Sequence, residues 1–367
     1  MMIPMLSDEY SNEGPATQAS SMEAKASPGF VPRLEALRGV AAVSVVGYHV
    51  AGIYWDIVAT GMIAVVVFFV LSGFVLARSL EQNPSPAAFF RSRLFRLLPP
   101  AAATVLLFAS LYWLFGFWVG FRGEFGFVNV MLNALMIKSD INGVMWSMTV
   151  ESAATPVILG SFWALGRYGL VPLIAACVIL LGLSFWGPYV HLLGGITNLA
   201  PLYGFVIGVM ASCRGRDLLQ PISPRVGQVL TFGAIVLMCY LGTKKQTAPV
   251  ILLEVMASAW IIASIAFGPP NAVFRPLDFR IVRFYGRISY SFYLLHLIGI
   301  SMAMKVLAPF ELQSSIPNAV VTAVLAVLLT TPLAWASWQM IEVPSKRLGR
   351  SQGKFAGREA GSRLRPS

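Results

Sequence analysis

The stretch LRGVAAVSVVGYHV, Leu37 to Val50, places one arginine and one histidine inside an apolar run. It belongs to the apolar segment 36–54, which is long enough to enter a membrane, since a hydrocarbon core of about 30 Å needs roughly 20 helical residues. Ionisable side chains inside a bilayer are costly and usually face a cavity or a partner. The stretch therefore predicts a transmembrane helix with polar residues that serve function.

The rest of the chain repeats this apolar pattern. Of its 367 residues, 57% are hydrophobic and 12% are charged, whereas a soluble domain carries about 25% charged residues. Ten apolar segments can be delimited, at 36–54, 59–79, 99–119, 147–166, 169–187, 197–213, 226–242, 250–267, 287–306 and 317–339. We therefore predict an all-α integral membrane protein with about ten transmembrane helices, and an even number places both termini on one side.

The lysines and arginines predict the orientation. If the N-terminus is cytoplasmic, 22 of the 27 fall on the inner side and four on the outer side, with Lys305 near a helix end. Such an excess of Lys and Arg marks cytoplasmic loops. Both termini are therefore predicted to be cytoplasmic. The same distribution accounts for the net charge of +11, so we expect the lipid bilayer and no nucleic acid as a partner.

Composition divides the chain into three parts. Residues 1–32 are polar, which predicts a disordered cytoplasmic leader; residues 33–348 form the transmembrane domain; residues 349–367 form a basic cytoplasmic tail. The three cysteines are odd in number and show no ligand spacing, so neither a disulfide framework nor a metal site is expected.

Arg38 and His49 are separated by eleven residues. At about 100° per residue, this offset is three turns plus roughly 20°, so both side chains share one helix face. They stand about 16 Å apart along the axis, with Arg38 at the cytoplasmic end and His49 near mid-membrane. Alone, Arg38 is typical of a membrane anchor and His49 of a core histidine, but their alignment favours a functional interpretation.

A second histidine lies in ISYSFYLLH, residues 288–296. Ser289, Tyr293 and His296 share one helix face, and His296 lies at a depth comparable with that of His49. Two histidines at similar depth predict a polar cavity. The alternative is a hydrogen-bonded contact that only joins helices.

Glu151 lies in WSMTVESAATP, residues 146–156, where Ser147, Glu151 and Thr155 repeat every four residues as a polar stripe. A carboxylate inside a membrane needs a partner, and a histidine is the partner we expect. The alternative is a contact that only packs this helix against another one.

The segment FFRSRLFRLLPP, residues 89–100, gathers Arg91, Arg93 and Arg96 and is predicted to be a cytoplasmic loop. Guanidinium groups bind phosphate in bidentate fashion, so a phosphorylated ligand is one partner for this cluster. Anionic lipid head groups are the alternative. In FFVLSGF, residues 68–74, Ser72 and Gly73 predict close helix packing.

In combination, these motifs resemble the acyltransferase 3 family of integral-membrane acyltransferases, from about Pro32 to Arg347. Any one element is weak, but six occur in order: Arg38 with His49; Phe68, Phe69, Ser72, Gly73 and Phe74; Arg91, Arg93 and Arg96; Trp146, Ser147 and Glu151; Ser289, Tyr290, Tyr293, Leu294 and His296; Glu342 and Pro344. The chain departs from the family pattern at Ser152 to Thr155, which are small, and this bears on the acceptor pocket.

The resemblance implies transfer of an acetyl or other short acyl group from acyl-CoA to a hydroxyl of a carbohydrate, such as an exopolysaccharide, a lipopolysaccharide or a lipo-chitooligosaccharide nodulation signal. It implies a multi-pass protein of the bacterial inner membrane, with acetyl-CoA as donor substrate and no permanently bound cofactor. His49, Glu151 and Arg38 are the expected catalytic residues. The expected substrate-binding residues are Arg91, Arg93, Arg96, Ser72, Trp146, Tyr290, Tyr293 and His296.

In the expected mechanism, the arginines hold the CoA phosphates and His49 is the general base on the acceptor hydroxyl. Glu151 orients His49 or stabilises its imidazolium form. A relay through an acyl-histidine is an alternative.

The principal rival is a proton-coupled transporter of a glycan or small molecule that uses His49, His296 and Glu151 as a relay. Such transporters often show repeated halves, and no repeated half is visible in this sequence. A membrane glycosyltransferase is a weaker option, because the outer-loop acids Glu124 and Asp140 form no recognisable pattern. The acyl group, the acceptor, its side of the membrane and the oligomeric state are left open.

Overall fold

A computed structural model describes residues 31–55, 62–119, 124–186, 202–310 and 314–349. Nearly all of the predicted leader and tail, residues 1–30 and 350–367, lie outside the described residues.

The described residues form helices and connections, with no strand among them. The helices are α1 Pro32–Trp55, α2 Met62–Gln82, α3 Pro86–Phe115, α4 Phe127–Ala134, α5 Trp146–Tyr168, α6 Val171–Trp186, α7 Leu202–Leu219, α8 Pro224–Leu241, α9 Ala248–Phe267, α10 Arg280–Leu307 and α11 Ile316–Ser337. Short 3₁₀ helices occupy Gly143–Met145, Ala272–Asp278 and Ala308–Phe310, and a π-helix at Trp338–Glu342 continues α11 into the helical residues 343–349.

Each of the ten predicted apolar segments overlaps one of these helices. Within the described residues, seven helices are long and apolar enough to cross a membrane, which confirms an all-α membrane protein. The other three segments correspond to α5, α6 and α7; α6 has only 16 residues, while α5 and α7 bury polar side chains inside the bundle. The number of ten spans and the cytoplasmic termini stay predictions.

Helix α3 begins much earlier than the sequence indicates. Ser85 accepts a hydrogen bond from the backbone N–H of Ala88, and Pro86 occupies the first turn, where its missing N–H is no loss. The prediction of a loop at 89–100 was therefore wrong, because these residues belong to α3. Their arginines remain within the bundle because other helices supply polar partners there.

Close backbone contacts fix the helices around the site. A Cβ atom at Gly39 of α1 would collide with the backbone of Gly286 of α10, and one at Gly73 of α2 would collide with the carbonyl of Phe205 of α7. Only glycine permits such approaches. The contact at Gly39 brings the side chains at the start of α1 beside those of α10.

One end of the bundle collects most of the cations, and we call it the cationic end. Helices α1 and α3 begin there and α2 ends there, since residues from all three line one cavity. Helix α7 ends there as well, because Cys213 contacts Glu81, and so does α9, because Arg78 stacks on Phe267.

Candidate functional site

A cavity of about 410 Å³ lies at the cationic end. Six cationic side chains and two carboxylates line it: Arg38, Arg78, Arg93, Arg96, Arg287 and Lys346, with Glu35 and Glu342. The Nε atoms of Arg93 and Arg96 are buried and have no hydrogen-bond partner within the described part of the chain. An excess of cations with unused guanidinium donors suits a ligand that carries several phosphate groups.

Glu151 and Arg93 form a buried ion pair beside this cavity. Arg93 donates to Glu151 Oε1 at 2.6 Å, and the side chains are 4% and 7% exposed. Ser72 also donates to Glu151 Oε1, at 2.8 Å. The structure thus gives Glu151 an arginine and a serine where a histidine was expected, because the early start of α3 brings Arg93 into the bundle. Glu151 thereby fixes Arg93 at the cavity wall.

The three clustered arginines do not act together. Arg93 and Arg96 line the cavity, whereas Arg91 is outside its lining and donates to the carbonyl of Gly349 at 3.2 Å. The separation follows from the helix, since an offset of two residues turns a side chain by about 200°. Tyr290 lines the cavity and donates to the carbonyl of Leu97 at 2.7 Å, which ties α10 to α3.

Glu342 also lines the cavity. The sequence identified it only as part of the last family element, Glu342 with Pro344. It is the last residue of the π-helix, a form often found at functional sites. Ser291 donates to its Oε2 at 2.8 Å, and Lys346 donates to its Oε1. Four further cavity residues were missed as site residues: Glu35, Arg78, Arg287 and Lys346. Of these, Lys346 could have been found, because its spacing of four residues from Glu342 places both side chains on one helix face.

The two histidines lie side by side in a histidine layer formed by α1 and α10. The ring centroids of His49 and His296 are 5.2 Å apart, with the planes tilted by 33°, as their similar depth predicts. His296 Nδ1 lies 2.6 Å from the carbonyl oxygen of Tyr293. Since a carbonyl only accepts, Nδ1 carries the proton and Nε2 presents a bare lone pair. This Nε2 is buried and has no partner among the described residues.

Helix α5 connects the histidine layer to the cavity. The Tyr293 hydroxyl lies 2.9 Å from Ser147 Oγ and donates to the carbonyl of Val144. Ser147 and Glu151 are one turn apart on the same face of α5. Among the described residues, Thr155, the third residue of the predicted stripe, bonds only to the Glu151 carbonyl of its own helix. Trp146 packs edge-on against Phe69, with ring centroids 6.3 Å apart.

The predicted residues thus occupy two levels along α1. Arg38 lies in the cavity at the cationic end, and His49 lies in the histidine layer about 16 Å further along the helix. A long ligand that is anionic at one end and reactive at the other fits this arrangement.

Comparison with family profiles identifies the acyltransferase 3 family, described as an acyltransferase domain, over residues 31–338. Comparisons with curated proteins and with solved structures return no significant match. The matched region includes α1 to α11 with Arg38, Glu151 and both histidines, while the cavity residues Glu342 and Lys346 follow it. The chain therefore belongs to the acyltransferase 3 family and is a membrane acyltransferase.

Proposed function

We propose that this acyltransferase transfers an acetyl or other short acyl group from acyl-CoA to a hydroxyl of a carbohydrate acceptor. The observation that carries the proposal is the cavity of six cations with unused guanidinium donors, which lies along the same helix as His49 of the histidine pair and about 16 Å from it. Exopolysaccharide, lipopolysaccharide and lipo-chitooligosaccharide are the acceptor classes we favour, and a bacterial inner membrane is the proposed location.

The donor binds with its phosphates at the cationic end. Coenzyme A carries a diphosphate and a further phosphate on its ribose, and Arg38, Arg93 and Arg96 are the side chains that hold them. Glu151 keeps Arg93 in place through their ion pair. The pantetheine arm then extends along α1 toward His49. Arg91 contributes indirectly, since its bond to Gly349 anchors the helical residues that carry Lys346.

The chemistry takes place at the histidine layer. The acceptor hydroxyl oxygen attacks the thioester carbonyl carbon while His49 takes the hydroxyl proton. The carbon–sulfur bond breaks, and His49 returns the proton to the departing thiolate, which gives an ester and free coenzyme A. The lone pair of His296 Nε2 stabilises the protonated His49, the role that the sequence suggested for Glu151.

The test uses purified protein in lipid nanodiscs, acetyl-CoA labelled in the acetyl group, and glycans extracted from cell envelopes. We expect label in the glycan with the wild type, and a loss of at least about a hundredfold with His49→Ala. Ser44→Ala is the matched control, because Ser44 lies on the same helix and bonds only to the carbonyl of Ala41. Unchanged transfer by folded His49→Ala contradicts the proposal, and glycan transport into proteoliposomes without labelling supports the transporter.

A further inference from the structure

A second group of buried polar side chains lies outside the donor cavity. Glu254 of α9 is 0% exposed and Tyr203 of α7 is 1% exposed. Gln246 precedes α9 on the connection from α8, and Tyr48 lies on α1 next to His49. We call these four residues the Glu254 group. The mechanism above uses none of them.

The Glu254 group has unused hydrogen-bonding capacity. Gln246 donates to Glu254 Oε1 at 3.2 Å. Glu254 Oε2, the Tyr203 hydroxyl and Gln246 Oε1 are all buried, and none has a hydrogen-bond partner among the residues described. Tyr203 lies close to Glu254, because a Cβ atom at its neighbour Gly204 would contact the side chain of Val255, the neighbour of Glu254. Three unsatisfied atoms in one place are unusual for a native structure, and a buried carboxyl in a membrane helix marks a functional site.

The Glu254 group lies at the depth of the reaction centre. At about 1.5 Å per residue from the cationic end of their helices, Glu254, Tyr203 and His49 all lie at about 20–25 Å. The Tyr48 hydroxyl packs against Gly242 at the end of α8. The connection that follows, residues 243–247, includes exposed Lys244 and Lys245. The group therefore lies beneath the end of the bundle opposite the cationic end.

The chemistry of the group differs from that of the donor cavity. It offers carboxyl, amide and phenol oxygens, and none of the interactions described for Glu254 involves a cation. Such a set binds hydroxyl groups and does not favour phosphates. Tyr48 is only half-buried and presents an aromatic surface beside His49.

We propose that the Glu254 group is the binding subsite for a polyhydroxylated acceptor, reached from the end opposite the cationic cavity. A hydroxyl of the acceptor takes the place of the Gln246 amide on Glu254, and a neighbouring hydroxyl is thereby presented to His49. This inference rests on the proposed acyl transfer and adds to it the residues and the direction that bring in the second substrate.

The experiment compares Glu254→Gln and Tyr203→Phe with wild type in nanodiscs, with labelled acetyl-CoA and extracted envelope glycan as the probes. Half-saturation is measured separately for each substrate, and thermal unfolding is recorded. We expect the half-saturating glycan concentration to rise about tenfold or more, with that for acetyl-CoA changed less than twofold. Glu81→Gln is the matched control, since Glu81 is an exposed glutamate on α2.

The outcomes separate this inference from the proposed function. Wild type that neither binds acetyl-CoA nor labels glycan overturns both. If the wild type is active and both variants keep its half-saturating glycan concentration, the subsite alone is overturned. Variants that lose donor binding, transfer and thermal stability together also overturn it, because Glu254 then only joins helices.

Discussion

The cationic cavity and the Glu254 group both bury ionisable side chains in the helix bundle, but their partners differ. In the cavity, Arg93 and Glu151 neutralise each other, and other cations remain in excess over the carboxylates. In the Glu254 group, the carboxyl accepts a hydrogen bond from an amide, and no cation is among its described interactions. Helix α1 reaches both regions, with Arg38 in the cavity and Tyr48 at the group, and it carries His49 beside Tyr48.

This difference shows how one bundle can sort two substrates by charge. A polyanionic donor is favoured where cations are in excess and disfavoured beside a lone carboxyl. A neutral polyhydroxylated acceptor has the opposite preference. The histidine layer lies where the two proposed routes meet.

The most severe way to disrupt the cavity is to break its buried ion pair. Arg93→Ala leaves Glu151 buried without its cation, so we expect the unfolding free energy to fall by about 3–5 kcal/mol and acetyl-CoA binding to be lost. Denaturant titration and calorimetric binding are the measurements. The double variant Arg93→Met with Glu151→Leu is expected to regain stability and still fail to bind. Recovery of binding by the double variant contradicts the cavity's role.

A change at His296 separates the chemistry from both binding regions. His296→Leu removes the Nε2 lone pair that we propose stabilises protonated His49, so we expect turnover to fall about ten- to a hundredfold with half-saturation for both substrates unchanged. His296→Gln restores an acceptor and is expected to regain part of the turnover. Steady-state kinetics with each substrate provide the measurement. Equal turnover in the Leu and Gln variants argues against a hydrogen-bonding role.

Arg96 and Arg91 provide a matched comparison of two cations on the same helix. Arg96→Ala removes a cavity donor, and we expect the half-saturating acetyl-CoA concentration to rise about tenfold. Arg91→Ala removes only the bond to Gly349, so we expect a change of about twofold or less. Titration of transfer against acetyl-CoA distinguishes them. A larger effect at Arg91 would reverse the assignment of the two arginines.

The smallest expected effect lies outside both regions. Arg33 donates to both carboxylate oxygens of Asp278, which holds the pKa of Asp278 below its usual range. The carboxylate therefore stabilises the fold above its unfolded pKa of about 3.9, and this contribution is lost as pH falls through the lower folded pKa. Asp278→Asn is expected to lower the melting temperature slightly at pH 7 and to flatten its decline in acid.

Melting curves from neutral to acid pH test this expectation. Asp217→Asn is the control, because Asp217 pairs with Arg214 only at an exposed 3.5 Å contact. A decline in acid that is as steep in Asp278→Asn as in wild type would contradict the assignment.

The sequence predicted much of the fold because long apolar runs must form helices in a bilayer. It also predicted that His49 and His296 lie at a similar depth, since helical spacing gives the depth of each residue. It failed at the start of α3, where the arginines were assigned to a cytoplasmic loop although Glu151 supplies Arg93 with a partner from 58 positions away. Glu254 escaped notice because its partner Gln246 precedes the helix and Tyr203 comes from α7, so helical spacing within α9 reveals neither.

The most direct test of the account is a cryo-electron microscopy structure of the protein in nanodiscs with acetyl-CoA bound. The account predicts phosphate oxygens within about 3 Å of the Arg93 and Arg96 guanidinium groups, with the thioester beside the His49 ring. Acetyl-CoA bound at the end opposite the cationic cavity, or with its thioester far from His49, would contradict it.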